Sequence, residues 1–498
     1  MPKSNLIIKT YTTNDSWTCP AGVNSITIIP KIKKTTLVNE LYNPFLLSSS
    51  GYTYTWGSNT NGKLGTNDIL AKSSPTLVVG NYKFQQVFAT GNAGCSFGLT
   101  SDGTTYSWGD NTNGQLGDNT ADAKSSPVPV VGGYKFQQLF PSIHSKGSHF
   151  GILADSSLYS WGYNAAGQLG TADVTSRSSP TPVVGSYKFK KIMITYEGTS
   201  TSSSIVGLLS DGTAYAWGSN TYGQLGTGDR VARSSPTLVL GGYKFEQVTS
   251  TSNSNFFGLT SDGTAYAWGY NFVGQLGIGS VFDSSSPTLV LGGLKFKQIN
   301  LASNTIFGLL NNGTLYAWGS STFGLLGNNT SAPSMSSPIP VLGGYKFKQI
   351  YGGAGHVMGL ATNENIYTWG DNTYGQLGDG TAISKSSPTL VIGAYTFKQI
   401  VAGIYGYNSY GITTEGKVYS WGYNTDGELG DNSIVVKSSP VLVVGGNIID
   451  FSTDDSRINT YSVVPGTTYQ IVLTVLPTFG NNTISTLSLD SLTIQYYI

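Results

Sequence analysis

The chain has 498 residues, of which 39% are apolar and only 11% charged, against roughly 25% charged in an average soluble domain. Its 27 basic and 26 acidic side chains leave a net charge of +1, so no long-range field gathers nucleic acid or anionic lipid, and a nucleic-acid partner is not expected. The length exceeds what one hydrophobic core usually needs, which points to several domains or a repeat array.

In chain order, residues 1–30 open with MPKSNLIIKTYTTNDSW, which lacks the uninterrupted apolar run of a signal peptide. No segment approaches the ~18 consecutive apolar residues of a membrane span. A protein made in a cytoplasm without an export signal, and without membrane insertion, is expected. Cys19 and Cys95 are the two cysteines, too few for a disulfide framework. Two buried free thiols are the expectation, and a single bridge is the alternative.

Residues 31–445 are repetitive. Trp-Gly recurs at Trp56, Trp108, Trp161, Trp217, Trp268, Trp318, Trp369 and Trp421, at spacings between 50 and 56. Each copy reads as four strands. A KFKQI-like first strand carries Phe84, Phe136, Phe189, Phe245, Phe296, Phe347 or Phe397, and an FGL-like second strand follows. Asp-Gly pairs such as Asp102-Gly103, Asp211-Gly212 and Asp262-Gly263 make a tight hairpin into the third, xYxWG strand. A PTLVV-like fourth strand is expected to begin at its proline, where the missing N–H does no harm. Four-stranded units arrayed about an axis are the propeller solution to exposed sheet edges. The fold class is therefore all-β: a propeller of eight blades, with seven the alternative, plus a small β-domain assembled from both termini. At an offset of 52, Lys31-Ile32-Lys33 falls under Lys83-Phe84-Gln85, giving the first unit its own first strand. Alternatively Ile448-Ile449 supplies that strand and clasps the ring.

The motifs WGxNxxGQLG, the following SSP and DGxxYxWG resemble the regulator of chromosome condensation repeat family, over about residues 31–445. Members are typically seven-bladed, and the eight Trp-Gly copies depart from that number. The resemblance implies a propeller that works by interaction, as an exchange factor for a small GTPase or an inhibitor capping an enzyme.

Up-and-down topology sorts the loops by face. Turns between the second and third strands, and links between blades, are short and uniform. The opposite face carries long, varied loops: PSIHSKGSH at 141–149, TYEGTSTSSS at 195–204 and AGIYGYN at 402–408. It also carries Tyr163, Tyr222, Tyr270, Phe272, Phe323, Tyr374 and Tyr423, where sister copies have Ser, Asp, Ala or Thr. With Tyr405 and Tyr407 these form the candidate binding surface, because Tyr in Ser/Asn-rich loops on a rigid frame gives contact area at low entropy cost. Packing of these rings loop against loop is the alternative. The eight Trp-Gly tryptophans, identical in every copy, read as blade-to-blade wedges rather than as a carbohydrate platform.

Residues 446–498 are again rich in strand signals. Propeller closure brings the two ends of the chain together, so 1–30 and 446–498 are expected to pair on the face opposite the varied loops. Trp17-Thr-x-Pro20-Ala-Gly22-Val23 and Tyr461-Ser-Val-x-Pro465-Gly466-Thr-Thr-Tyr469 resemble halves of a β-sandwich of phage tail and virion-surface proteins. Those proteins carry a glycine-rich stretch where the propeller stands here. The resemblance implies a virion component, made in the host cytoplasm and anchored to other virion proteins through the terminal β-domain. Its free face would meet a host surface polymer or a neighbouring virion protein, and a homo-oligomer stays open.

Catalytic chemistry is sought and not found. His144, His149 and His356 stand in no HExxH and beside no cysteine pair, so neither a metal nor any other cofactor is expected. Gly57-Ser-Asn-Thr-Asn-Gly62-Lys63-Leu64 lacks the final Ser/Thr of a phosphate loop and is repeat consensus. Asp110, Asp118 and Asp122 have calcium-loop character, but Asx-turn chemistry accounts for them better. The expected function is non-enzymatic.

Overall fold

In the computed structural model the described residues are 44–47 and 51–443, apart from 91–93, 143–145, 197–202, 251–253, 332, 394, 404–405 and 416, with the backbone of further strands towards each end. Eight antiparallel four-stranded sheets follow one another. Blade 1 is Thr36–Asn39, Pro44–Leu47, Thr53–Gly57 and Lys72–Leu77. Blade 2 is Phe84–Ala89, Cys95–Thr100, Thr105–Gly109 and Lys124–Pro129. Blades 3 to 8 repeat this plan through residues 136–182, 189–238, 245–289, 296–340, 347–390 and 397–442. Strands are named a to d within each blade.

The first strand of blade 1 is Thr36–Asn39, paired to Pro44–Leu47, so Lys31-Ile32-Lys33 does not supply it. Lys31 instead ends the strand Ser25–Lys31. The alignment failed because blade 1 lacks the KF signature and reaches its first strand later than its sisters. Ile448-Ile449 lies outside the described residues. Strand d also differs from expectation. It starts three residues before its proline, as in Lys72–Leu77 with Pro75 or Lys124–Pro129 with Pro127. The register with strand c shifts there, opposite the tryptophan. An outer edge strand tolerates this, because the proline has no ladder hydrogen bond to lose.

Strand a lies innermost, since strands a of successive blades touch: Ser250 Oγ donates to Ile194 O at 2.7 Å. The core lies between blades. Val206, Leu208, Ala214, Ala216 and Leu225 of blade 4 pack with Phe245, Val248, Phe256 and Trp268 of blade 5. The last junction repeats this, with Tyr410, Ile412, Val418 and Val443 of blade 8 against Leu46 and Trp56 of blade 1. Two glycines set the spacing. A Cβ on Gly98 would stand 2.4 Å from the Phe84 ring, so strand b must be bare where strand a's ring lies on it. Gly109, with φ +103°, lets the chain leave strand c where a Cβ would meet Gly94 O at 2.2 Å.

Each of the eight tryptophans is fully buried, and each indole N–H donates to a backbone carbonyl of the preceding blade. Trp108 bonds Lys63 O at 3.0 Å, Trp161 bonds Gln115 O at 3.1 Å and Trp217 bonds Gln168 O at 3.0 Å. Trp268, Trp318, Trp369 and Trp421 bond Gln224, Gln275, Leu325 and Gln376. Trp56 completes the set across the closure, on Glu428 O at 2.9 Å. The opposite face has a second link: Lys135, Lys188, Lys244 and Lys295 pair at 2.5–2.9 Å with Asp102, Asp155, Asp211 and Asp262 of the blade before.

The chain enters strand a of blade 1 and leaves strand d of blade 8 on the short-turn face. Thr36 lies opposite Leu47 at the turn into strand c, and Val443 N bonds Val418 O at 3.0 Å. Towards the ends, Leu6–Tyr11, Ser491–Tyr497, Ser25–Lys31 and Asn459–Ser462 form one sheet in that order. Ser16–Thr18 pairs with Thr468–Gln470.

Candidate recognition face

On the varied face every blade but the sixth turns from strand c to strand d through a loop built on one buried asparagine, three residues after the tryptophan. In blade 4, Asn220 Oδ1 accepts Leu225 N at 2.9 Å, while Nδ2 donates to Asp229 O and Val231 O at 3.1 Å. Asn111, Asn164, Asn271, Asn372 and Asn424 repeat it. Blade 6 has Ser321 there, bonded to Ser331 O. An amide that satisfies three backbone groups fixes a loop without any helix or strand.

A glutamine seven residues after the tryptophan sets the finer geometry. Gln115, Gln168, Gln224, Gln275 and Gln376 accept the backbone N–H two residues earlier at 2.6–3.0 Å, and Glu428 does the same at 2.9 Å. Blades 1 and 6 carry Lys63 and Leu325 instead. In those two the turn becomes a short 3-10 helix, with positive φ at Asn61 (60°) and Phe323 (56°). An N–H without an acceptor turns over, and in blade 6 the residue left in the left-handed region is a bulky phenylalanine, which is strained there.

This frame brings the predicted side chains together at blade junctions. The residue five after the tryptophan of one blade meets, in the next, the residue two after its tryptophan and the one preceding strand b. At junction 4/5 the rings of Tyr222 and Tyr270 are 4.8 Å apart, edge to face. At junction 7/8, Tyr374 lies 5.2 Å from Tyr407 and 5.1 Å from Tyr423. At junction 6/7 the Phe323 ring stands 3.5 Å from where a Cβ on Gly355 would lie. Tyr163 of blade 3 sits under the Lys146 ammonium, 4.6 Å from the ring centroid. Phe272 stands apart from these contacts, with Phe272 and Phe323 largely exposed. Tyr405 lies outside the described residues, as do 143–145, 197–202 and 404–405 of the three long loops.

The groups considered for chemistry have other employment. Cys95 is a free, buried thiol, with Sγ 3.7 Å from His149 Nε2 across junction 2/3. Burial pushes the thiol up to about 12 and the imidazole down to about 3. Both are neutral at pH 7, so the pair is no thiolate–imidazolium nucleophile. His356 Nε2 meets Ser409 Oγ at 2.9 Å at the equivalent place in junction 7/8, and burial lowers it to about 4. Cys19 and His144 lie outside the described residues. Asp118 accepts Asn111 Nδ2 at 3.0 Å and Thr120 Oγ1 at 2.7 Å, and Asp110 accepts Thr112 Oγ1 and Gln115 Nε2. These carboxylates serve their own turns, and no cluster of three or more metal-ligating side chains occurs among the described residues.

Sequence reasoning missed two features of this face. One is the charge pair at closure. Lys63 is half-buried and lowered by burial, with Asp426 and Glu428 acting the other way, while burial raises Glu428. Opposite substitutions at one repeat position in the first and last blades were the available signal. The other is a set of apolar side chains held outward on the loops from strand c to strand d: Ile69, Leu70, Val174, Val231, Val281, Phe282, Ile383, Ile434 and Val435.

Fold and face together define an eight-bladed β-propeller with one uniform side and one elaborated side, a scaffold of the interaction type. The chain belongs to the regulator of chromosome condensation (RCC1) repeat family, whose model matches residues 50–95, 102–140, 155–196, 211–257, 262–307, 312–360, 363–406 and 415–453. It is 26% identical over 439 residues to the ultraviolet-B receptor UVR8 of Arabidopsis thaliana, covering 86% of this chain and 87% of that protein. It is 29% identical over 400 residues to the E3 ubiquitin-protein ligase HERC2 of Mus musculus, covering 79% of this chain and 7% of that much longer protein. The fold is shared with Prp20p from Saccharomyces cerevisiae (TM-score 0.54, 19% identity, 76% of this chain and 91% of that one), a protein described with its binding to Gsp1p and histones. Human WBSCR16 is similar at TM-score 0.53 and 19% identity, over 68% of this chain and 93% of that one.

Proposed function

We propose that this chain is a non-enzymatic binding scaffold of a phage virion, held through its two terminal segments and presenting the varied face to a host surface or a neighbouring virion protein. One observation carries the binding role: aromatic side chains stand at blade junctions where the frame does not require them. Junction 3/4 has Ala166 and Ser219 in the positions that hold Tyr222 and Tyr270 at junction 4/5. Aromatic anchors on a rigid support are the residues that dominate binding energy at interfaces. Support for the particle comes from the sequence resemblance of both ends to a virion-surface β-sandwich, and from both ends leaving the short-turn face.

Two measurements test this. Mass spectrometry of purified particles should find the chain in stoichiometric amount, and its absence would remove the virion assignment. Tyr374→Ala with Tyr423→Ala should leave thermal unfolding within a few degrees of wild type and weaken capture of particle or host-surface components at least tenfold. Unchanged capture would remove the face assignment. Family membership favours a second reading, a soluble protein-interaction module. A GTPase recovered at sub-micromolar affinity, with none of the chain on particles, would select it.

A further inference from the structure

On the short-turn face one rung of the lysine–aspartate ladder is incomplete. At four junctions a single lysine ammonium bonds two groups of the blade before. Lys135 reaches Asp102 Oδ2 and Thr104 Oγ1, both at 2.5 Å, and Lys188 reaches Asp155 Oδ2 and Ser157 Oγ, both at 2.9 Å. Lys244 does the same with Asp211 and Thr213, and Lys295 with Asp262 and Thr264, at 2.5–2.6 Å. At junction 6/7 Lys346 keeps the hydroxyl half, on Thr314 Oγ1 at 2.6 Å, but an exposed Asn312 stands where these sister blades have aspartate. Asn312 Oδ1 accepts Thr314 N at 3.0 Å, as Asp102 Oδ1 accepts Thr104 N at 3.2 Å and Asp211 Oδ1 accepts Thr213 N at 2.9 Å. Its amide nitrogen therefore takes the place of the oxygen that binds lysine in the sister blades. An amide N–H cannot accept from an ammonium.

We propose that Asn312 is a self-modification site, which deamidates to aspartate in the folded chain and so completes the rung with Lys346. The next residue is Gly313, which puts no side chain beside the peptide nitrogen. The bond from Thr314 N curls the Asn312 carboxamide forward over the Gly313 peptide. Gly313 N attacks Asn312 Cγ and closes a succinimide ring, and the Cγ–Nδ2 bond breaks to release ammonia, which carries away the Gly313 proton. Water then adds at Cγ and the new C–N bond breaks, leaving a carboxylate and the original peptide. The step consumes water alone and transfers no electrons. Gly313 N is held on Leu310 O at 3.0 Å, so the attack waits for the hairpin tip to open and is slow.

Comparisons within the chain select this residue. At junction 7/8 the corresponding Asn363 is followed by Glu364, whose side chain hinders ring closure. There the lysine position holds Thr396, bonded to Thr414 at 2.8 Å, so the cation is absent where the asparagine does not cyclise readily. The other Asn-Gly pairs are Asn61-Gly62 and Asn113-Gly114. Their glycines are wedged against the second blade onward: a Cβ would stand 2.4 Å from Ser125 Cα at Gly62 and 2.6 Å from Ser178 Cα at Gly114. At Gly313 the nearest atom to such a Cβ is Phe347 O, at 3.1 Å, and the peptide has more room to turn.

The test is peptide mapping by mass spectrometry of the full chain, held folded in mildly alkaline heavy-oxygen water, with the urea-unfolded chain as positive control. The peptide holding Asn312 should gain the mass of an amide-to-acid exchange with one heavy oxygen, ahead of those holding Asn61 and Asn113. Asn312→Gln should abolish that gain. In urea unfolding, Asn312→Asp should raise the folding equilibrium constant about two- to fivefold over wild type, the range of an exposed ion pair. Lys346→Met should remove the increase. An unchanged Asn312 in the folded chain while the unfolded control converts, earlier conversion at Asn61 or Asn113, or isoaspartate as the sole product would each overturn the proposal. So would an Asn312→Asp increase that is missing, or that survives Lys346→Met.

Discussion

The eight indole hydrogen bonds are equal in geometry but not in consequence, and two of them form a controlled comparison. Trp108 and Trp217 are both fully buried and sit in matched aromatic settings. Trp108 has Phe45 at 6.2 Å and Phe84 at 5.9 Å, and Trp217 has Phe150 at 6.1 Å and Phe189 at 5.6 Å. Replacing either by Phe removes the same volume, which costs about 2 kcal/mol from lost burial and the residual cavity. The difference lies in the carbonyl left behind. Lys63 O also accepts Ser96 Oγ at 2.8 Å, so Trp108→Phe leaves it bonded. Gln168 O has no second side-chain donor among the described residues, so Trp217→Phe strands a buried acceptor at a further cost of about 1–3 kcal/mol. Trp217→Phe should therefore be the more destabilising by about 1–2 kcal/mol. Equilibrium urea unfolding followed by far-UV circular dichroism and fluorescence measures this, with coincident transitions as the check for two-state behaviour. A thermodynamic cycle sharpens it: Ser96→Ala should cost about 1 kcal/mol more on the Trp108→Phe background than on wild type. Equal cost for the two Phe variants, with no Ser96 coupling, would refute the reasoning.

Phe323→Gly should raise the unfolding midpoint or leave it unchanged, since release from the left-handed region is worth about 1 kcal/mol, whereas Tyr374→Gly should lower it by a similar amount; differential scanning calorimetry distinguishes them. Acid should destabilise the fold in two stages, measurable as unfolding midpoint against pH. His149 and His356 are held by burial at about 3 and about 4, below the usual histidine value near 6.5. The unfolded chain therefore binds more protons below that value, and stability falls as pH drops from there toward the folded values. His149→Phe should flatten that stage. Asp102, Asp155, Asp211 and Asp262 are held well below the usual carboxylate range, Asp102, Asp211 and Asp262 foremost by their lysine partners and Asp155 foremost by Ser157 and then Lys188. Their contribution is present at neutral pH and is lost as pH falls below about 4 toward the folded values. At the closure, Glu428→Gln alone should destabilise by about 1 kcal/mol by removing one of the two carboxylates that face the half-buried Lys63, with Asp426 remaining, while Lys63→Gln with Glu428→Gln, which restores the repeat residue in both blades, should be near neutral in the same unfolding assay.

Eight copies of WG pointed to eight blades, with seven the alternative, and the KF-like strands and short turns of the later copies marked the a-to-c strands and the division into a uniform and a varied face. Each of those rests on residues close together in sequence, where period and turn chemistry act directly. Where the local signal thinned, the reading slipped. Blade 1 without KF found its first strand at Thr36–Asn39, and strand d ran three residues ahead of its proline because an outermost strand has an unpaired edge. Tyr222 and Tyr270 were legible as outliers from the repeat, but their contact was not, being made between residues of successive blades.

Composition and repetition by themselves determined what each blade is; only tertiary structure decided what each blade meets. The carbonyl under every indole belongs to the blade before, the Trp56–Glu428 bond joins residues 372 apart in the chain, and the outward turn of Phe282 depends on an asparagine amide gripping its backbone from within the loop. A repeat pattern encodes the local geometry many times over, but it holds no record of which copies become neighbours when the ring closes. That is settled by packing and by hydrogen bonds that form only once the blades are side by side.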